Sequence, residues 1–255
     1  MEPILTKEQF IMSYKLQKFA DKAIDKFNLK FPIYPTSNLA KIVSYLTFDG
    51  HLRHDCNMFS FSSGKKSLFK EPIEIVKREF NIIGKIRKVP TSYGTSYEYR
   101  ITNKPISRIL NLIGTPHGNK IYADFRVPKW IKENKELSRN YLKVAFDCEG
   151  SAWKEGKNRI KIRFGINKYS KMLNNGMKFL EDMKSMLLKF NINTTEIWCG
   201  KGNLRKDGNT TKFLRFNIKS ESIPLFKKEI GFNIKHKKNL LEWGLKGHGT
   251  SLKLA

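Results

Sequence analysis

Two stretches of this chain, one hundred positions apart, end in the same way. Ile42 to Gly50 reads IVSYLTFDG, and Leu142 to Gly150 reads LKVAFDCEG. Each is an apolar segment of helical character that closes on an acid and then a glycine, Asp49-Gly50 and Glu149-Gly150. A fixed long-range repeat means one structural unit used twice. Glycine directly after a helical run is the usual left-handed C-terminal cap, because it enters that backbone region without strain. Each acid is therefore expected in the last helical turn. The helix dipole is negative there and opposes a carboxylate by roughly 0.3–1 kcal/mol. An acid kept at that place twice calls for a compensating cation, and a bound divalent metal is the candidate. One Asp-Gly or Glu-Gly alone is a common turn dipeptide; two copies with matching apolar lead-ins carry the argument.

The charge points to a partner. The chain has 255 residues, 49 of them basic and 23 acidic, for a net charge of +26. No fold requires that excess, and such a field attracts polyanions. Nucleic acid is the first partner to consider. An anionic membrane surface is second, but no compact basic amphipathic anchor helix is evident. With 40% hydrophobic residues, 18 Phe and 9 Tyr, the chain can build a core rather than remain disordered. Cys56, Cys148 and Cys199 are too few and too scattered for a disulfide framework, and no C-x-x-C pair suggests structural zinc. MEPILTKEQF is not a signal peptide, and no apolar run approaches a membrane span. The expected location is cytoplasmic, with reduced thiols.

The pattern predicts an amphipathic helix over 5–28, with Phe10, Ile11, Tyr14, Phe19, Ile24 and Phe27 apolar. Two prolines in FPIYPTSN end it, and Thr36, Ser37 or Asn38 can cap the next helix, which runs to Asp49-Gly50. A strand with Phe59 and Phe61 on one face follows, then a helix over 68–80, a hairpin over 85–102 and a helix over 106–113. Residues 114–136 read as a joint with a short helix near 128–133. The second half repeats the order. After Gly150 come a hairpin over 151–167 and a helix over 172–190, with Met177, Leu180, Met183 and Leu187 inward. Strands near 192–199 and 211–219, a helix over 223–230 and a last helix near 240–245 complete it. The fold class is α+β, with two pseudo-symmetric αββαββα halves. The expected divisions are a helical extension (1–37), a first half (38–113), a linker (114–136) and a second half (137–255).

The strand over 158–167 has the clearest alternation. Ile160, Ile162, Phe164 and Ile166 point one way, and Arg159, Lys161 and Arg163 the other. Leu214, Phe216 and Ile218 alternate likewise with Arg215, Asn217 and Lys219. A sheet with one greasy and one cationic face can pack on helices and lie along a duplex, whose major groove admits a two-stranded ribbon. An ordinary solvated face mixes signs; this one is positive or neutral. Candidate DNA-contacting residues are Arg53, Lys88, Arg100, Arg159, Lys161, Arg163, Lys212, Arg215 and Lys219.

These features resemble the LAGLIDADG homing endonucleases, specifically the single-chain type with two motifs, in archaeal-like form. The resemblance covers about residues 38–245. GTPHGNK…VPKWI and IGFNIKHKKNLLE resemble the segments that close each half in that family. The resemblance implies saddle-shaped antiparallel sheets, an interfacial pair of motif helices, and a monomer acting on double-stranded DNA. It implies magnesium as cofactor, with Mn2+ or Ca2+ substituting for binding, held by Asp49 and Glu149 and by the carbonyls of Phe48 and Cys148. It also implies a lysine in each half that orders the attacking water, by position Lys120 and Lys237, with Lys235, Lys238 and Arg126 as rivals. Ser44, Thr47, Val144 and Asp147 would lie at the helix interface. The implied activity is cleavage of both strands of a long site, leaving 3′ overhangs.

The chain departs from the family pattern where Ser44 and Val144 replace a mid-motif glycine and where Lys143 takes a place that is usually small. No flanking cysteine or terminal His-Asn pair marks an intein, so an intron-encoded or free-standing protein is expected. Alternatives are a maturase binding intron RNA, or a regulator that binds DNA without cutting. His51 and His54 lack zinc spacing, Gly200-Lys201-Gly202-Asn203 reads as a turn, and GHGTSLK lacks the Walker spacing.

Overall fold

The computed structural model describes residues 2–91, 94–156 and 159–246. Asn158, expected to open a strand, and the GHGTSLK segment lie outside the described residues. The chain divides into two compact units, Met1–Leu137 and Ser138–Ala255.

The first unit opens with two helices, α1 (Lys7–Met12) and α2 (Gln17–Phe27), where the sequence predicts one. A capping box between Thr6 and Gln9 starts α1. The Ser13 hydroxyl closes it by donating to the Phe10 carbonyl, and the Arg108 guanidinium donates to the Ser13 carbonyl. A tertiary partner thus occupies the acceptor that a continuous helix would have used. Next come α3 (Ser37–Thr47), β1 (Gly50–Leu52), β2 (Phe59–Ser63), α4 (Lys70–Phe80), β3 (Lys85–Thr91), β4 (Gly94–Ile101), α5 (Lys104–Leu112) and α6 (Lys129–Glu133). Of the three candidate caps, Thr36 starts α3, its hydroxyl accepting from Leu39 N. The antiparallel sheet has order β1-β2-β4-β3. Its inner face buries Phe59, Phe61, Tyr99 and Ile101, with Phe61 and Tyr99 stacked and Phe69 beside them.

The second set of elements repeats the scheme: α7 (Lys135–Cys148), β5 (Ser151–Glu155), β6 (Arg159–Tyr169), α8 (Leu173–Leu188), β7 (Trp198–Leu204), β8 (Thr210–Asn217), α9 (Ile223–Glu229) and α10 (Lys235–Lys246). The antiparallel order is β5-β6-β8-β7, the counterpart of the first sheet. Phe146 of α7 meets Phe164 and Phe226, with Phe216 and Phe232 continuing the cluster. In α8, Phe179, Leu180, Met183, Met186 and Leu187 are buried; Met177 is only half-buried.

Two expected boundaries move, and one strand face differs. Gly200 to Asn203 lies inside β7 rather than in a turn; the turn falls at 205–209, where Arg205 N donates to the Asn209 carbonyl and Gly208 has φ +78°. The last helix starts at Lys235, five residues early, because Asp147 receives the amides just before it. The inward row of β6 includes a cation: Lys168 is 1% exposed, its stem crossing the space above Gly176 of α8, while Ile166 is half-buried.

Candidate active site and nucleic-acid faces

The repeated glycines are needed, but for a different reason from the expected one. Neither Gly50 nor Gly150 is among the residues with positive φ. What excludes a side chain is close approach. A Cβ at Gly50 would lie 2.8 Å from the Ser60 carbonyl oxygen and 2.9 Å from Leu46 Cα. At Gly150 it would lie 2.4 Å from the Phe146 carbonyl oxygen. The chain turns sharply off the helix and passes against its last turn. Asp49 and Glu149 consequently stand just beyond their helices, both exposed, Asp49 between buried Phe48 and Gly50, and Glu149 between half-buried Cys148 and buried Gly150.

In both units a lysine of the chain meets the helix end. The Lys120 ammonium donates to the carbonyls of Phe48 (2.6 Å), Gly50 (2.7 Å) and Leu46 (3.3 Å). The Lys237 ammonium donates to those of Asp147 (2.5 Å) and Phe146 (3.2 Å). A cation there offsets the negative end of the dipole. The sequence argument called for a positive charge at this place, and these side chains supply one. Lys120 is placed by a loop that Gly118 ties to β1, its amide donating to the Leu52 carbonyl at 2.7 Å, with φ +70° at Gly118. Lys237 is placed by the first turn of α10. Among the rivals, Lys235 and Lys238 make no side-chain hydrogen bond to described residues, and Arg126 is exposed.

The donor set suits a hard cation: an exposed carboxylate beside carbonyl oxygens at a helix end. Phe48 contributes such a carbonyl. Among the described residues, no three His, Cys, Asp or Glu side chains cluster as metal ligands. A metal here would draw on one carboxylate, carbonyls, water and substrate oxygens, as magnesium does. His51, beside the first acid, is held below the usual histidine range by burial and by the Lys120 charge.

Ser44, Thr47, Val144 and Asp147 are all buried. Thr47 donates its hydroxyl to the Val43 carbonyl. Asp147 accepts from Asn233 N at 2.9 Å and Ile234 N at 3.2 Å, which locks the loop ahead of α10. That anchoring contact was not foreseen; the signal was an acid in a motif position where the other copy has Thr47.

Strand register sorts the cationic candidates. In the first sheet Lys85↔Arg100 and Arg87↔Glu98 pair across β3 and β4, so Lys85, Arg87 and Arg100 share the outer face. Lys88 pairs with Tyr97 and stands on the opposite side, contrary to expectation; Lys85 and Arg87 were missed. Glu98 bridges both outer arginines, Arg87 at 3.0 Å and Arg100 at 2.9 Å. Burial alone would raise the Glu98 carboxyl, but bonds from Arg87, Ser60 and Arg100 outweigh it and hold the carboxyl below its ordinary value. Arg53 follows β1 and is tied to Asp55 at 2.5 Å.

In the second sheet Arg159, Lys161, Arg163 and Arg215 share the outer face. Lys212 does not; it has the side of Leu214 and Phe216, two and four positions on. Lys219 lies past the end of β8 and is exposed. Two tryptophans join the outer arginines, unpredicted: Arg163 stacks on Trp153 (4.6 Å) and Arg215 on Trp198 (4.2 Å).

Residues 136–231 match the family described as LAGLIDADG-like domain. The chain is 28% identical over 220 residues, 84% of its length, to glutamine–fructose-6-phosphate aminotransferase of Methanocaldococcus jannaschii, but spans 18% of that protein. It is 26% identical over 185 residues, 67% of its length, to the tRNA-splicing ligase RtcB of Methanopyrus kandleri, spanning 19% of it. The structure is similar to that of the homing endonuclease I-WcaI bound to its DNA recognition sequence, with a TM-score of 0.50 at 11% identity, covering 92% of this chain and 98% of the other. At that identity the likeness is one of fold. The match over residues 136–231, the repeated motif and the two four-stranded sheets of matching order agree: residues 136–231 are similar to a LAGLIDADG-like domain, within a chain that uses the same scheme of elements twice.

Proposed function

We propose that the chain is a site-specific double-strand DNA endonuclease that hydrolyses phosphodiesters with divalent metal, magnesium by preference. The observation that carries this reading is the matched pair of helix ends. In each unit an exposed acid, Asp49 or Glu149, follows a helix whose terminal carbonyls accept from a lysine of a later segment, Lys120 or Lys237. Asp49 and Glu149, with the carbonyl of Phe48, would hold a divalent ion, which when bound would supply water activation and stabilisation of the leaving oxygen. The chain's own part is to hold the carboxylates outward, to offer hard oxygen donors beside them, and to keep an ammonium where it can orient water. Outer-face cations hold the phosphate backbone.

The relatives support a mobile element. An aminotransferase and an RNA ligase share no chemistry, yet each contains a segment like this one in under a fifth of its length. A module inserted into unrelated hosts has a function of its own, and cutting DNA is one that propagates such a module.

The test is magnesium-dependent cleavage of duplexes carrying the uninterrupted form of the sequence flanking the gene. The expected result is double-strand breaks with 3′ overhangs. Asp49→Asn and Glu149→Gln are expected to abolish cutting and to retain binding. A variant that cuts as well as the parent would overturn the assignment of that acid.

A further inference from the structure

The outer faces of the two sheets treat their arginines differently. In the first, Glu98 bridges Arg87 and Arg100. In the second, Glu155 reaches Lys161 (3.4 Å) and Arg159 (4.0 Å) at one end of β6, but no acid among the described residues pairs with Arg163 or Arg215. These two guanidiniums repel each other, and burial together with the Arg215 charge holds Arg163 below its ordinary value. What positions them is aromatic: Trp153 under Arg163 and Trp198 under Arg215.

The sequence provides for that arrangement. Gly200 lies across from Phe213, and a Cβ there would fall 1.8 Å from the Trp198 ring. Gly165 lies across from Arg215, and a Cβ there would fall 2.7 Å from the Phe213 ring. Two glycines in mid-strand weaken a sheet. Here Gly200 leaves room for the Trp198 platform, and Gly165 for the Phe213 ring, to lie close on the outer surface. A ring pressed to the sheet gives the guanidinium a fixed platform. Stacking uses the face of the guanidinium and leaves the N–H donors on its edge available. Asn217 Oδ1 takes only a long bond from Arg163 Nε, at 3.4 Å.

A planar, pre-oriented fork of donors matches the paired acceptors O6 and N7 of guanine in the major groove. We propose that Arg163 and Arg215 are the guanine-reading side chains of this chain, oriented by Trp153 and Trp198. The second unit then carries more of the sequence discrimination than the first, whose arginines are held by Glu98. This inference rests on the duplex-DNA reading above.

The experiment selects bound duplexes from a randomised library, using the full chain with Ca2+ to limit cutting, and sequences them. The parent is expected to enrich a G·C pair at two positions of one half of the site. Arg163→Lys and Arg215→Lys keep the charge and lose the fork. Each is expected to lose one of those preferences by roughly 5- to 150-fold, with the salt dependence of binding unchanged. Trp198→Leu is expected to weaken the Arg215 position and to leave the Arg163 position less affected. Arg87→Lys and Arg100→Lys are expected to change base preference less than either. Lysine variants of Arg163 and Arg215 that keep the parental preferences would overturn this inference and leave the endonuclease reading standing. No duplex binding by the parent would overturn both.

Discussion

The ammonium of Lys120 lies 2.6 Å from the carbonyl oxygen of Phe48, the residue directly before the first motif acid. In the second unit the Lys237 ammonium reaches a carbonyl one position earlier, that of Asp147, at 2.5 Å, two residues before Glu149. Each lysine comes from a segment remote in sequence and ends on the last turn of its motif helix. Lys120→Met and Lys237→Met are expected to cost about 1–2 kcal/mol each, the scale of a partly buried cation at a helix C-terminus. If the same ammonium orients water, cleavage falls by about 100-fold or more. Chemical denaturation and cleavage rates, measured on the same samples, separate the two effects.

Gly50→Ala and Gly150→Ala are expected to destabilise by about 1–3 kcal/mol, as overpacking against backbone does. The added carbon would press on Leu46 Cα and the Ser60 carbonyl in one case and on the Phe146 backbone in the other. Gly64→Ala is the control: nothing lies within 4 Å of a Cβ there, and its φ is not positive. Urea midpoints for the three variants check the ordering.

Asp147→Ala removes the acceptor for the amides of Asn233 and Ile234. The expected cost is about 1–3 kcal/mol, because a charged acceptor is lost and two donors are stranded. Hydrogen exchange over 233–238 is expected to speed up more than exchange in β6.

The Glu98 carboxyl titrates below its ordinary value in the folded state. The unfolded value is about 4.3. Stability from Glu98 is therefore full above that pH and is lost as pH falls through the lower folded value. The parent is expected to exceed Glu98→Gln by about 1 kcal/mol near pH 7, since Arg87 and Arg100 are partly exposed. The gap is expected to close only as the pH falls below the ordinary carboxylate range. Thermal unfolding of both proteins across that range measures it.

Much of the architecture could be read because the apolar periodicity of the two halves is strong, and the Asp-Gly and Glu-Gly pair marks where each motif helix stops. Long-range relations were less legible. Lys88 and Lys212 were assigned by local charge, but pairing with Tyr97 and the row shared with Leu214 set their faces. The Gly200 to Asn203 segment resembles a turn in composition; only the Trp198 ring lying over Gly200 explains glycine in a strand. The split between α1 and α2 depends on Arg108, ninety-five residues away from Ser13. Lys120 and Lys237 could be proposed by position within a resemblance, whereas the carbonyls they reach become visible only in three dimensions.

The outermost strands, β3 and β7, have a further consequence. Each lies at the end of its sheet and is largely exposed along its length. Unsatisfied strand borders invite further chains to add on. Here Lys85, Arg87, Lys88 and Pro90 crowd one border, and a register shift between Lys201 and Leu204 distorts the other. Charge, a missing amide and a broken ladder make each border a poor template for fibril-like growth.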